Sequence, residues 1–200
     1  ALLSVGRELN IKNLKLENAG VLLSKRGMHI GDDDTRTNVE NIYVVGDASG
    51  HIALVNIGEL EGRHAVEKIL NKNNEKLTYA NVCTTMFLQP EVASVGLNEK
   101  RCLRDNIPVK IVKLDYSCIA RAIAMRKTEG FFKIIVTNDD EMKILGMRAV
   151  GEHASSAIQA VALLIKMNRG VHELAELVHP HPSIIEGVQE CVRMLLNKSI

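Results

Sequence analysis

A histidine followed five residues later by a glutamate, near the end of the chain, has the types and spacing of an acid–base pair. Residues 179–186 read His-Pro-His-Pro-Ser-Ile-Ile-Glu. The two prolines restrict the backbone to an extended approach, and Ser183 predicts an N-cap for a following helix. His181 would then lie just outside the helix start, with Glu186 in the first turn. A carboxylate bonded to one ring nitrogen would fix the tautomer and leave the other nitrogen to act as a general base.

The same spacing has a purely structural explanation. Ser183 and Glu186 are separated as in a capping box, and a helix N-terminus favours glutamate whatever its chemistry. Both explanations require the Glu186 carboxylate. Because it has two oxygens, one can bond to the His181 ring while the other takes part in the capping box. A zinc site made of His179, His181 and Cys191 would have spacing unlike that of structural zinc sites, so no metal is predicted.

A second candidate site is the Gly46–Asp47 pair. It follows the apolar run Ile-Tyr-Val-Val at residues 42–45, which is typical of a buried parallel strand. At the carboxyl end of such a strand, glycine lets a ligand approach the backbone, and Asp47 can accept hydrogen bonds from sugar hydroxyls. A helix predicted over residues 56–70, with Asn56 as its cap, would aim its positive end at the same place. A bare Gly-Asp pair is more typical of a plain strand-to-loop turn.

The predicted secondary structure that must position these residues differs between the first part of the chain and the rest. Residues 1–40 predict short strand-like pieces with polar turns, one of them at 31–34. Residues 71–76 are polar throughout and predict the main internal boundary. Beyond that boundary the pattern predicts four strands and four helices, with strands at 92–95, 109–114, 131–136 and 144–150 and helices at 97–104, 154–167, 172–177 and 183–197. Runs of strands followed by runs of helices predict an antiparallel sheet covered by helices.

Composition excludes several classes of function. The chain has 200 residues, 46% hydrophobic and 24% charged, with a formal net charge of +1. This balance predicts a globular protein without a nucleic-acid surface, and its apolar runs are too short to span a membrane. Four cysteines without a Cys-x-x-Cys pair encode no redox disulfide. Because no secretory signal is visible, we expect reduced thiols and a cytoplasmic protein, with the mitochondrial matrix as the alternative.

Residues 36–47, followed by Glu61-Gly62 and Ala65, resemble the second flavin-binding motif of the pyridine nucleotide–disulfide oxidoreductases. The resemblance implies that Gly46 and Asp47 contact FAD, with Asp47 on the ribityl chain. It also implies that the backbone at Leu54 and Val55 contacts the pyrimidine edge of the flavin. Asn56 stands where the dihydrolipoamide dehydrogenases of this family usually carry histidine.

Two further segments extend the resemblance towards both ends. Residues 4–10 resemble the segment that closes the family's nicotinamide domain, with Leu9 replacing the usual proline, which implies that Gly6 lies near bound NAD. Residues 179–186 resemble the C-terminal signature of dihydrolipoamide dehydrogenases, His-x-His-Pro-Ser/Thr-x-x-Glu. This similarity implies that His181 accepts the proton of the substrate-facing thiol and that Glu186 orients it.

Residues 89–97, 130–133 and 144–151 resemble core strands of the family's dimerisation domain, so the resemblance covers essentially the whole chain. It implies an α/β fragment, the C-terminal segment of the FAD-binding domain, followed by an α+β dimerisation domain with an antiparallel sheet and helices. The implied boundaries are 1–15 for the tail of the NAD-binding domain, 16–76 for the FAD-binding segment and 77–200 for the dimerisation domain.

The resemblance also implies that parts of the enzyme are missing. The chain starts without an initiator Met and holds no Gly-x-Gly-x-x-Gly, no Cys-x-x-x-x-Cys and no second Rossmann motif. We therefore expect a fragment that is inactive alone and binds FAD weakly or not at all. Complete, it would pass electrons between a dithiol and NAD through a redox disulfide and a flavin.

The expected partners are the absent N-terminal half, a lipoyl-bearing protein and a second copy bound through residues 77–200, so that each His–Glu pair completes the other subunit's site. Three alternatives stay open. Glutathione reductase-like enzymes usually lack the first histidine of His-x-His, and mercuric reductases end in a vicinal cysteine pair, whereas this chain ends Leu-Leu-Asn-Lys-Ser-Ile. A non-catalytic dimerisation module would need no flavin contact.

Overall fold

The computed structural model describes residues 1–24, 35–72 and 75–197. The chain forms two compact units, Ala1–Thr78 and Tyr79–Ile200. The sequence predicted its main boundary inside residues 71–76, and the turn predicted at 31–34 lies outside the described residues.

In its described residues, the first unit contains one long helix, α1 (Val55–Ile69), and two short 3-10 helices, Leu16–Ala19 and Gly46–Ser49. The strand predicted at 42–45 is wrong as a regular strand, because only Tyr43 pairs, in an isolated antiparallel bridge with Arg36. A strand exists only where neighbouring backbone pairs with it along its length, and within the described residues this run has no such neighbour. The strand-like pieces predicted over residues 1–40 likewise form no strand in the described part of that range.

Helix α1 buries a narrow face made of Ile57, Glu61, His64 and Ala65, which recur at the spacing of one helical stripe. The predicted cap is wrong, because the cap position is Leu54, without a side-chain hydrogen bond, and Asn56 is already inside the helix. The C-terminal end of this helix adds little to its buried face. Three of its apolar residues are more than half exposed, namely Val66, Ile69 and Leu70.

The second unit is built on a five-stranded antiparallel sheet, which confirms the predicted α+β organisation. Its strands are β1 (Thr84–Met86), β2 (Val92–Gly96), β3 (Val109–Asp115), β4 (Phe131–Thr137) and β5 (Ile144–Val150). Their order across the sheet is β1-β2-β5-β4-β3. The four predicted strands are all present, and β1 was not predicted.

Among the described residues of this unit, six α-helices accompany the sheet: α2 (Glu99–Arg104), α3 (Ala120–Ala124), α4 (Ala154–Ala157), α5 (Gln159–Lys166), α6 (His172–Ala175) and α7 (Glu186–Leu195). Asn98 caps α2, since its side chain accepts a 2.8 Å hydrogen bond from the Arg101 N–H. The helix predicted over 154–167 is divided at Ile158 into α4 and α5, and the one predicted over 183–197 starts at Glu186. None of the helices among the described residues is both long enough and apolar enough to cross a bilayer.

The core of the second unit lies between the sheet and the helices α4, α5 and α7. Tyr116 and Phe132 are fully buried there, with ring centroids 5.0 Å apart, and the Tyr116 hydroxyl donates to the Glu152 carbonyl at 3.1 Å. Gly151 lies against the Tyr116 ring at a φ of +142°, and a Cβ there would come within 2.3 Å of ring carbons. A Cβ on Gly187, the second residue of α7, would likewise come within 2.6 Å of a Phe132 ring carbon. The start of α7 is therefore held tightly against the sheet.

Candidate active site

The loop before α7 brings His181 and Glu186 together. His181 Nδ1 and Glu186 Oε1 are 2.8 Å apart, and the Ser183 N–H donates to Glu186 Oε2 at 2.8 Å. Each oxygen of the Glu186 carboxylate therefore accepts one hydrogen bond. The bond to His181 is the one that the acid–base explanation requires, and the bond to Ser183 is the one that the capping explanation requires. The carboxylate can only accept, so Nδ1 carries the hydrogen and Nε2 keeps a lone pair.

The two members of this pair differ in exposure. The His181 side chain is 71% exposed, whereas that of Glu186 is 22% exposed. Glu186 is anchored by the close packing of α7 on the sheet, and His181 projects from the loop in front of it. None of the described residues bonds to Nε2. The free nitrogen can exchange a proton with a molecule that reaches this loop.

The predicted N-cap at Ser183 is wrong. Ile185 occupies the cap position of α7 without a side-chain hydrogen bond, because the turn bonds from Gly187 N–H to Ile184 and from Val188 N–H to Ile185 form the entry to the helix. The Ser183 Oγ is buried and has no hydrogen-bond partner in the described part of the chain. Only one half of the capping box is formed, the contact from the Glu186 carboxylate back to the Ser183 N–H.

The hydrogen bonds to Glu186 have an electrostatic consequence. The Ser183 N–H, and after it the His181 ring, stabilise the carboxylate and lower the pKa of Glu186 below its ordinary value, against the opposing effect of burial. A carboxyl group whose pKa is lower in the folded state stabilises the fold above its unfolded pKa, and this contribution is lost as pH falls through the folded pKa.

We therefore expect the Glu186→Gln variant to lose stability at neutral pH, because an amide cannot accept both hydrogen bonds. The difference in free energy of unfolding from the parent should shrink as pH falls below the ordinary glutamate pKa of about 4.3. Urea unfolding between pH 7 and pH 3 measures this difference. Glu176→Gln is the control, since the Glu176 side chain is exposed and makes no hydrogen bond or ion pair with the described residues. A difference that stays constant over the whole pH range would contradict the assignment.

The other residues considered for a metal site do not join this pair. His179 Nδ1 is 3.1 Å from the Leu177 carbonyl, while its Nε2 is buried and has no partner among the described residues. Cys191 lies in the core of α7, where burial raises the pKa of its thiol to about 12. In the described ranges no three His, Cys, Asp or Glu residues could share a metal ion.

Two residues near the His181–Glu186 pair were not predicted from the sequence. Cys118 and Glu190 line, together with Glu186, a cavity of about 300 Å³. Cys118 follows β3 and Glu190 lies on α7, so packing of the helix on that strand brings them together. Neither residue belongs to a local motif that could have indicated this neighbourhood.

The Gly46–Asp47 turn in the first unit is held by a hydrogen bond to a buried glutamate, Glu61. Gly46 has a φ of +66°, and its N–H donates to Glu61 Oε2 at 2.6 Å, where Glu61 is 1% exposed. A Cβ on Gly58 would lie 3.3 Å from the Gly46 Cα, so the turn rests closely on α1. This contact holds Asp47 at the surface, where its Oδ2 is 3.3 Å from Arg7 Nη1.

The groups around this turn fit a flavin. Asp47 offers carboxylate oxygens to hydroxyls, and the N–H groups of Val55 and Asn56, the first of α1, have no carbonyl partner within the helix. Val55 is 84% exposed, and Leu54 is half-buried beside it.

Gly6, the residue expected near NAD, lies one residue before Arg7. It belongs to an exposed segment without regular structure and has a φ of +119°. The two candidate sites lie in different units of the chain.

Comparison with known proteins identifies one family. Residues 82–192 match the family described as pyridine nucleotide-disulphide oxidoreductase, dimerisation domain, and residues 1–62 match pyridine nucleotide-disulphide oxidoreductase. The dihydrolipoyl dehydrogenase of Chlamydia muridarum is 37% identical over 185 residues, covering 92% of this chain and 39% of the relative. That of Bacillus subtilis is 30% identical over 199 residues, covering 100% and 42%. The chain thus spans about two fifths of the length of the curated relatives it matches.

Solved structures of proteins similar to this chain have the same fold. LpdA from Mycobacterium tuberculosis superimposes with a TM-score of 0.86 at 27% identity, over 93% of this chain and 40% of that one. The HOCl-induced flavoprotein disulfide reductase RclA from Escherichia coli has a TM-score of 0.84 at 25% identity, over 96% and 44%. Since the dimerisation-domain match alone spans residues 82–192, more than half of the sequence, the chain belongs to the pyridine nucleotide–disulphide oxidoreductase family.

Proposed function

We propose that this chain is the C-terminal part of an FAD-dependent, dihydrolipoamide dehydrogenase-like oxidoreductase, in which His181 is the general base and Glu186 orients it. The observation that carries the proposal is the 2.8 Å contact between His181 Nδ1 and Glu186 Oε1, with the ring exposed at its other nitrogen. A general base needs a lone pair at the surface and a fixed tautomer. The contact fixes the tautomer, and the 71% exposure of the His181 side chain leaves the lone pair accessible.

In the proposed reaction, Nε2 of His181 takes the proton from one thiol of a dithiol substrate. Glu186 keeps its hydrogen bond to Nδ1–H and balances the positive charge that develops on the ring. The thiolate then attacks one sulfur of the enzyme's redox disulfide and forms a mixed disulfide, while the other sulfur leaves as a thiolate. When bound, FAD supplies the two-electron carrier between this dithiol and NAD.

The remaining roles are assigned as the resemblance implies. Gly46, Asp47, Leu54 and Val55 would hold FAD, and Gly6 would lie near NAD. A second copy would bind through residues 77–200, so that each His–Glu pair serves the partner's disulfide, and a lipoyl-bearing protein would supply the dithiol. The dimerisation-domain match supports the pairing of two copies, and the dihydrolipoyl dehydrogenase relatives support the dithiol substrate.

A fusion protein tests the proposal. The chain is joined to the part of the Chlamydia muridarum relative that precedes the matched region, and the product is purified with FAD. We expect a yellow protein that oxidises dihydrolipoamide with NAD, whereas the isolated 200-residue chain should show no turnover.

The alternatives give different results in the same experiment. A flavin-bearing fusion that reduces glutathione disulfide with NADPH, and does not use dihydrolipoamide, would support the glutathione reductase-like alternative. A folded, dimeric fusion that retains no flavin would support a non-catalytic dimerisation module. Turnover by the isolated chain would overturn the expectation that it lacks essential parts.

A further inference from the structure

A buried carboxylate connects the two elements of the first unit that are assigned to FAD. Glu61 lies in α1 and is 1% exposed, and its Oε2 accepts a 2.6 Å hydrogen bond from the Gly46 N–H. Gly46 opens the turn that carries Asp47, whereas α1 begins at Val55. The bond therefore joins the turn to the helix across a separation of 15 residues in the chain.

The two ends of the turn are held in different ways. At its far end the backbone closes on itself, because the Gly50 N–H donates to the Asp47 carbonyl at 3.1 Å, with Gly50 at a φ of +75°. At its near end the Gly46 N–H is bonded to Glu61. Asp47 thus lies between a local backbone bond on one side and a bond to α1 on the other.

The helix has room for the turn at the same place. Gly58 lies three residues before Glu61, on the same side of α1, and a Cβ on Gly58 would come within 3.3 Å of the Gly46 Cα. The glycine lets the turn come close, and Glu61 supplies the acceptor. An aliphatic side chain at position 61 would fit the buried stripe with Ile57 and Ala65 without the cost of burying a carboxylate. Such a side chain could not accept from Gly46.

We propose that Glu61 is a positioning residue for FAD. By holding Gly46 against α1, it fixes the separation between the Asp47 carboxylate and the first N–H groups of the helix, so that one flavin reaches both without a rearrangement of the turn. Because Glu61 is buried, it acts through Asp47 and the helix and does not touch the flavin itself. The inference rests on the proposed function, which assigns the turn and the start of α1 to FAD.

The flavin-bearing fusion tests this role through its dissociation constant for FAD, measured by titrating the flavin-free protein and following flavin fluorescence. Glu61→Met keeps a side chain of similar length but removes the acceptor, and it should weaken FAD binding by at least about tenfold. Glu61→Gln keeps an oxygen that can accept from the Gly46 N–H. It should therefore bind FAD at least about threefold more tightly than Glu61→Met does.

The matched control is Glu40→Met. It removes the same charge from an exposed side chain of the same unit, one that makes no hydrogen bond or ion pair with the described residues. The affinity for FAD should stay unchanged in this variant.

A double-mutant cycle separates positioning from a general loss of stability. Asp47→Ala should itself weaken FAD binding by at least about tenfold. Adding Glu61→Met to Asp47→Ala should cost less than about a further threefold, because the turn no longer carries the carboxylate that Glu61 positions. If Glu61 only supported the fold, the two losses would multiply.

The inference is overturned if Glu61→Met binds FAD like the parent, if Glu61→Gln binds no better than Glu61→Met, or if the losses multiply in the double variant. In each of these cases the parent fusion still binds flavin, and the proposed function is unaffected. If Asp47→Ala binds FAD like the parent, the assignment of this turn to FAD is wrong, and the inference fails with it.

Discussion

Replacing His181 with glutamine should lower the rate of dihydrolipoamide oxidation by the flavin-bearing fusion by about 10²- to 10⁴-fold, the usual contribution of a general base. The glutamine amide has no lone pair basic enough to take the thiol proton. Glu186 would remain in place, because its other oxygen is bonded to the Ser183 N–H. The turnover number at saturating dithiol measures the effect.

Two controls show whether the loss belongs to proton transfer. His172→Gln changes an exposed histidine whose Nε2 lies 3.1 Å from the Asp140 carbonyl, in another part of the unit, and should leave the rate unchanged. Oxidation of NADH by an artificial electron acceptor needs no thiol proton and should survive His181→Gln. If both reactions fall together, the variant has damaged flavin binding or folding, and the role of His181 as the base is not supported.

Replacing Gly151 with alanine should destabilise the second unit by about 2–6 kcal/mol, the sum of backbone strain and overpacking. The residue has a φ of +142°, and the new Cβ would lie 2.3 Å from carbons of the Tyr116 ring. That ring is fully buried beside Phe132, so it has no free space into which it can move. At its upper end, this loss equals the whole stability of a marginally stable domain, about 5 kcal/mol.

Urea unfolding followed by circular dichroism measures this loss. The neighbouring variant Glu152→Ala is the control, because it leaves the backbone carbonyl that accepts from the Tyr116 hydroxyl and should change stability by no more than about 0.5 kcal/mol. A loss below about 1 kcal/mol in Gly151→Ala would mean that the Tyr116 ring can move after all.

Strands could be predicted from the sequence where another strand, close in the same chain, is available to pair with them. The runs at β4 and β5 are separated by a short polar connection, and they pair with each other along their length. The apolar run at 42–45 has the same appearance in sequence, but within the described residues only Tyr43 forms a bridge. Periodicity describes which side chains can be buried, and pairing partners decide whether a strand forms.

The His181–Glu186 contact was predictable because the two residues are five positions apart, joined by a short loop. The hydroxyl of Ser183 could not be placed from sequence, since the entry to α7 depends on turn bonds among Ile184, Ile185 and the helix. The bond between Glu61 and Gly46 could not be predicted either. Its two ends are 15 residues apart and meet only through the packing of the turn on α1.

The order of the strands leaves β1 and β3 at the two margins of the sheet, and these margins limit how copies of the chain can associate. A long, flat, apolar margin would recruit another β-strand and lead to aggregation. β1 has only three residues, and β3 carries the exposed Lys110 and Lys113 on either side of Ile111. Stacking lysines of two copies side by side would be repulsive. Association by extending the sheet through β3 is therefore disfavoured, and a filament joined through β3 would contradict this.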